Sequence, residues 1–109
     1  MATETYKVLG QSNPGATTLT DLYAVPAATS AVCSSLVVCN QGGAGTFRVS
    51  VAVAGAADAP KQYLYYDAPI GANTTIAVVI GLTLATTDKV RVYASSGTMS
   101  FSLFGSEIA

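Results

Sequence analysis

Apolar and polar residues alternate with a period of two along most of this chain. The clearest case is TFRVSVAVA (46–54), where apolar residues from Phe47 to Val53 alternate with polar or small ones. The stretches TTIAVVIGLTL (74–84) and KVRVYAS (89–95) repeat the pattern. This period is typical of strands that bury one face, so the sequence predicts a β protein.

Short stretches rich in Gly, Pro, Asn or Asp separate the alternating segments, as expected of turns between strands. The predicted strands cover residues 5–10, 18–25, 30–40, 46–54, 61–70, 74–84, 89–95 and 99–108. No segment has a helical period, so a second sheet must cover the first. We therefore predict one all-β domain over residues 1–109, a jelly-roll-like antiparallel β-sandwich of about eight short strands.

The apolar faces of the strands predict the core. The predicted core residues are Phe47, Val49, Val51, Val53, Ile76, Val78, Leu82, Val90, Val92, Phe101 and Leu103.

Charge is scarce in this chain and narrows the choice of partners. Charged residues make up 10% of the sequence, against about 25% in an average soluble domain, and the net charge is −1. A nucleic-acid partner is not expected, since such binding needs clustered basic residues. No apolar run is long enough to cross a bilayer, and residues 1–10 lack the pattern of a secretory signal. We expect neither a membrane partner nor secretion.

The two cysteines, Cys33 and Cys39, raise the question of a disulfide, a metal site or a redox pair. Both fall within one predicted strand, where six residues span roughly 20 Å. A disulfide needs Cα atoms within about 7 Å. Redox and zinc motifs use closer cysteines, and the chain has no His. We predict two free thiols, with Cys39 the more accessible because it borders a Gly-rich turn.

No group of residues in the sequence suggests catalysis. Histidine is absent, no serine lies in a G-x-S-x-G motif, and the carboxylates are scattered singly. We therefore expect no enzyme activity, no catalytic residues, no cofactor and no metal site.

The aromatic stretch YLYY (63–66) is the most suggestive local feature. In a regular strand Tyr63 and Tyr65 share one face, and only one face can enter the core. We predict that Tyr63 and Tyr65 point outward, since tyrosine is favoured at interfaces. Outward tyrosines that merely shield a sheet edge are the alternative.

Several segments of the chain resemble a family of small virion proteins of tailed bacteriophages. The most recognisable are LYAVPAATSAVCSSLVVCN (22–40), YLYYDAPI (63–70), LATTDKVRVYAS (84–95) and FSLFGSEI (101–108), and the resemblance covers nearly the whole chain. It implies a capsid decoration, or cement, protein that is made in the cytoplasm of a host bacterium and located on the capsid surface of the virion.

The resemblance implies two partners, the major capsid protein and further copies of this chain, with a trimer expected at a three-fold position. The predicted contact residues are Tyr63, Tyr65, Asp58, Lys61 and Gln62, together with the chain ends. The alternative function is a head-fibre or tail module that binds carbohydrate on the host surface through exposed aromatic residues.

Overall fold

The computed structural model describes residues 3–109 and contains eight β-strands. They are β1 (Glu4–Ser12), β2 (Thr20–Ala24), β3 (Ser30–Asn40), β4 (Gly45–Ala52), β5 (Tyr63–Ile70), β6 (Thr75–Leu84), β7 (Lys89–Ala94) and β8 (Met99–Ile108). Two single-turn 3-10 helices, Val53–Gly55 and Pro60–Gln62, lie between β4 and β5.

The strands form two four-stranded antiparallel sheets. The first sheet has the order β1-β8-β3-β6 and the second has the order β2-β7-β4-β5. Every connection crosses from one sheet to the other except the one from β4 to β5, and this order of strands is that of an eight-stranded jelly roll. The prediction of an all-β, jelly-roll-like sandwich is confirmed.

The core lies between the inner faces of the two sheets. Phe47 of β4 and Phe101 of β8 meet across it, with ring centroids 6.2 Å apart and an edge-to-face angle of 65°. Six of the predicted core residues are buried: Phe47, Val49, Val90, Val92, Phe101 and Leu103. The prediction omitted several others that are equally buried, among them Leu36, Val38 and Met99.

Five predicted core residues are not fully buried. Val53 is 69% exposed, because the chain leaves β4 at Ala52 and turns into a 3-10 helix in which Ala54 has φ of +55°. The other four, Val51, Ile76, Val78 and Leu82, are half-buried. Ile76, Val78 and Leu82 belong to β6, an edge strand with a single neighbour. Their side chains lie at the edge of the core and stay partly exposed to solvent.

Both cysteines lie in β3 and both are free, as predicted. Pairing of β3 with both neighbours shifts register between Cys33 and Ser35, which marks a bulge at Ser34. The bulge turns Cys33 into the core and Cys39 to the outer face. Burial raises the pKa of Cys33 to about 11, whereas Cys39 is half-buried and closer to solvent.

The loops at one end of the sandwich are held together by Asn40. Its side-chain amide donates to the carbonyls of Gly43 (2.8 Å) and Gly71 (3.0 Å). Its Oδ1 accepts from Gly42 N (3.1 Å) and Thr98 Oγ1 (2.9 Å). A single buried side chain therefore joins three loops with all of its polar atoms satisfied.

Candidate functional site

The charged side chains are distributed unevenly between the two sheets. The first sheet carries Glu4, Lys7 and Glu107, which cluster at one end of β1 and β8. The other charged residues belong to the second sheet and its loops. The two broad outer faces of the sandwich therefore differ in chemistry.

The centre of the first sheet's outer face has no charged side chain. Strand pairing aligns its residues in three rows that each cross all four strands. The rows are Tyr6, Ser106, Val32 and Thr83; Val8, Phe104, Ser35 and Val79; and Gln11, Ser102, Val37 and Ala77. We call these twelve residues the charge-free face.

Large apolar groups on the charge-free face are open to solvent. Tyr6 is 80% exposed and Val79 is 92% exposed, while Val8 and Val32 are also exposed. Phe104 and Val37 are half-buried between them. A contiguous surface of this kind typically marks a site of interaction with another macromolecule.

The outer face of the second sheet is built around Arg48. Its guanidinium lies over the ring of Tyr66 (4.1 Å to the centroid) and over the ring of Tyr93 (4.3 Å). It also forms an ion pair with Asp67, with Nε 2.7 Å from Oδ1. The pairing with Asp67 raises the pKa of Arg48 further, so the side chain is a permanent cation fixed between two aromatic rings.

The 53–62 loop folds over the rest of this face. Arg91 of β7 donates to the carbonyls of Ala56 (2.7 Å) and Gly55 (3.3 Å) and pairs with Asp21 (3.2 Å). Ser50 of β4 is fully buried, and its hydroxyl has no hydrogen-bond partner within residues 3–109. The loop is therefore an ordered part of the second face.

A shallow groove lies beside Arg48, with a volume of about 410 Å³. Its lining residues are Arg48, Asp58, Ala59, Pro60, Tyr63 and Tyr66, and we call it the tyrosine groove. Tyr63 meets Tyr66 edge to face, with centroids 5.1 Å apart and an angle of 88°. The hydroxyl of Tyr63 donates to Asp58 Oδ2 (3.0 Å). Partial burial and this carboxylate raise the pKa of Tyr63.

The five predicted contact residues do not form one site in the structure. Tyr63 and Asp58 line the tyrosine groove, whereas Lys61 and Gln62 border a neighbouring depression. Gln62 is buried, and its amide donates to Ala57 O (2.8 Å). A contact role for these residues stays a prediction.

The prediction that Tyr63 and Tyr65 share an outward face is wrong. Tyr65 packs inward on the core, with its ring 5.9 Å from that of Phe47. Val49 pairs with Tyr65 and the adjacent Ser50 pairs with Tyr63, so β5 has an extra residue at this point. Such a bulge reverses the alternation of side chains, and Tyr63 joins the outer face instead.

The other residues of the tyrosine groove, Arg48, Ala59, Pro60 and Tyr66, were not predicted from the sequence. In a regular strand Tyr66 would lie on the opposite face from Tyr63, and only the bulge brings the two rings together. The alternation of side chains in β4 and β7 does place Arg48 and Tyr93 on the outer face. The contact between the Arg48 guanidinium and the Tyr93 ring therefore had a weak signal in the sequence.

Clustered metal ligands and membrane-spanning helices are both absent from residues 3–109. That part of the chain holds no group of three or more Cys, Asp or Glu side chains placed to bind a metal ion. It also contains no helix whose length and apolar character would let it span a membrane.

Comparison with known proteins identifies a shared fold. No protein-family model and no curated protein matches this chain. Among solved structures, a chain of infectious bursal disease virus, Gx strain, aligns over 99% of this chain with a TM-score of 0.57 and 15% identity. A chain of the T13 particle of infectious bursal disease virus aligns over 99% with a TM-score of 0.58 and 12% identity.

The likeness is one of fold. This chain spans 31% and 30% of the length of those two viral chains, so it corresponds to less than a third of each. Its sandwich thus has the architecture of one part of a chain found in an icosahedral virus particle.

Proposed function

We propose that this protein is a structural component of a virus particle, a decoration protein on the outside of a phage head that binds the major capsid protein. The charge-free face carries the proposal. The resemblance of the sequence to small phage virion proteins supports it, and so does the fold that the chain has in common with part of a viral particle chain.

The composition of the charge-free face suits a protein interface. The buried centres of such interfaces are depleted in charged residues and enriched in aromatic ones. Here Tyr6 and Phe104 lie among valines and small hydroxyl residues. The nearest charge is that of Glu4, at one end of the sheet, which accepts hydrogen bonds from Tyr6 (3.1 Å) and Ser106 (3.2 Å). Docking would therefore remove apolar surface from water, while Glu4 at the margin of the face would keep its contact with water or pair with a cation of the partner.

The outer face of the whole first sheet, of which the charge-free face is the central part, has nearly the area of an interface. Four strands about 4.8 Å apart and roughly ten residues long give a surface of roughly 600 Å² before side-chain relief is counted. Each partner in a standard interface buries about 800 Å². One sheet face is therefore close to the size that a stable contact with a capsid subunit requires.

We also propose that copies of the chain associate as a trimer at a three-fold position of the shell. Closed rotational symmetry limits such an assembly to a defined number of copies. A protein that binds only the assembled shell stabilises that shell by mass action. Its function is then to raise the resistance of the particle to heat and to internal pressure.

Removal of the protein from the particle tests the proposal. Particles of the virus that encodes this chain, produced without it, should assemble but release their genome at a lower temperature than complete particles. Adding purified protein back should restore the release temperature. If particles without the protein keep their heat resistance but no longer adsorb to host cells, the protein is an adhesin and the decoration function is wrong.

A further inference from the structure

We propose that the tyrosine groove binds a neutral saccharide. This inference goes beyond the proposed structural function, and it does not depend on it. The groove lies on the second sheet and the charge-free face lies on the first, so a copy docked through one face would present the other to solvent.

Tyr66 supplies the binding platform. Its side chain is 61% exposed, yet Arg48 lies over the ring and Tyr63 contacts it edge to face. An exposed ring held from two sides loses little conformational freedom when a ligand binds. The C–H bonds on the apolar face of a sugar ring can pack on the electron-rich face of such an aromatic ring.

Asp58 supplies a polar group in reach of the platform. Its Oδ2 accepts the hydrogen bond from Tyr63, and no hydrogen bond within residues 3–109 reaches its Oδ1. A free carboxylate oxygen is a strong acceptor for ligand hydroxyl groups, because hydrogen bonds to a charged acceptor are stronger than neutral ones. An exposed aromatic ring beside such an acceptor matches a ligand with one apolar face and a hydroxylated edge.

The charges of the groove favour a neutral ligand. Arg48 is already paired with Asp67, through Nε (2.7 Å) and Nη2 (3.4 Å), and is therefore neutralised. Asp58 has no cationic partner in residues 3–109, so an anionic sugar would be repelled.

The groove is small, which limits both ligand size and affinity. Its volume of about 410 Å³ is at the lower end of the range for small-molecule sites, which run from roughly 300 to 1,000 Å³. It is suited to one or two sugar units with a dissociation constant in the millimolar range. Many copies on one particle would raise the overall affinity for a surface glycan through multivalency.

Titration of the purified protein with methyl glycosides tests the proposal. We would record amide chemical shifts by NMR with the methyl glycosides of glucose, galactose and N-acetylglucosamine, and with sialic acid as the anionic probe. At least one neutral glycoside should shift residues 58–66 and Arg48. Tyr66→Ala should weaken its binding about tenfold or more. Tyr6→Ala removes another exposed tyrosine, from the opposite sheet, and should leave glycoside binding unchanged.

Asp58→Asn gives an independent test at an exposed loop residue, and its amide oxygen can still accept the hydrogen bond from Tyr63. It should weaken glycoside binding, because the amide is a poorer acceptor. The proposal is overturned if no neutral glycoside shifts the groove, if the shifts persist in both groove variants, or if sialic acid binds more tightly than every neutral sugar.

Discussion

The hydroxyl of Tyr23 donates a hydrogen bond to Glu107 Oε2 over 2.5 Å and so links β2 of the second sheet to β8 of the first. Glu107 also pairs with Lys7 of β1 through Oε1, at 3.2 Å. This is a charge-assisted contact between the two halves of a sandwich whose core is apolar. The hydrogen bond from Tyr23, together with Lys7, lowers the pKa of Glu107.

Tyr23→Phe should lower the free energy of unfolding at neutral pH. The expected loss is about 1.5–3 kcal/mol, the range for a hydrogen bond to a charged group. Chemical denaturation of both proteins measures it. Tyr6→Phe is the matched control, because the Tyr6 hydroxyl also donates to a glutamate, Glu4, but at an exposed position (3.1 Å). Equal losses in the two variants would contradict the importance of the link between the sheets.

The effect of Tyr23→Phe should also depend on pH. The pKa of Glu107 is lower in the folded protein, so its contribution is complete above the unfolded value of about 4.3 and is lost as the pH falls through the lowered folded value. Burial and the contact with Glu107 raise the pKa of Tyr23, so its contribution is lost only at strongly alkaline pH. The difference in unfolding free energy between the unmodified protein and Tyr23→Phe should therefore shrink in acid. A difference that stays constant with pH would show that it does not come from the hydrogen bond to ionised Glu107.

The two thiols should react at very different rates in the folded protein. Cys39 is half-buried on the outer face, whereas Cys33 is buried and its pKa is raised to about 11. Ellman's reagent at mildly alkaline pH should modify Cys39 first and Cys33 only when the chain unfolds. Unreduced, denatured protein should give two thiols, and Cys39→Ser should remove the fast phase. A fast phase that survives in Cys39→Ser would show that Cys33 is accessible.

Phe101 and Phe104 of β8 provide a test of the two faces of one strand. Phe101 is fully buried against Phe47, so Phe101→Ala should cost roughly 3–5 kcal/mol of unfolding free energy. Phe104 is half-buried on the charge-free face, and Phe104→Ala should cost clearly less. Urea denaturation of both variants measures the difference, and equal costs would mean that the core is assigned to the wrong side of the sheet.

Strand positions were predictable because each strand has a strong period of two between clear turns. The predicted range 30–40 coincides with β3, and 99–108 coincides with β8. The error at Val53 arose because its apolar character continued the pattern past the end of β4. The half-burial of Val78 depends on β6 being an edge strand, which follows from sheet order and not from the pattern within one strand.

The candidate sites were harder to predict than the fold, because both depend on register. The bulge in β5 separates Tyr63 from Tyr65, and no turn residue in YLYY signals it. The charge-free face combines residues from four strands that are distant in the sequence, such as Val8 and Val79. Low overall charge indicated an interface, but only strand pairing identifies which surface lacks charge.

A single lysine should distinguish the charge-free face from the opposite side of the molecule. Val79→Lys places a cation in a row of the charge-free face, where docking would bury it without a partner. Val79 is 92% exposed, so the free energy of unfolding should change by no more than about 0.5 kcal/mol. Binding to particles that lack the protein, measured by cosedimentation, should weaken at least about tenfold, the factor that 1.4 kcal/mol gives.

Val53→Lys is the matched control, because Val53 is also an exposed valine but lies beyond β4 of the second sheet. It should bind particles like the unmodified protein. Binding of the unmodified protein should also weaken little as salt is raised, because an interface without ion pairs offers no charges for salt to screen. If Val53→Lys loses binding while Val79→Lys retains it, the particle contacts the second sheet, and the charge-free face must have a different partner.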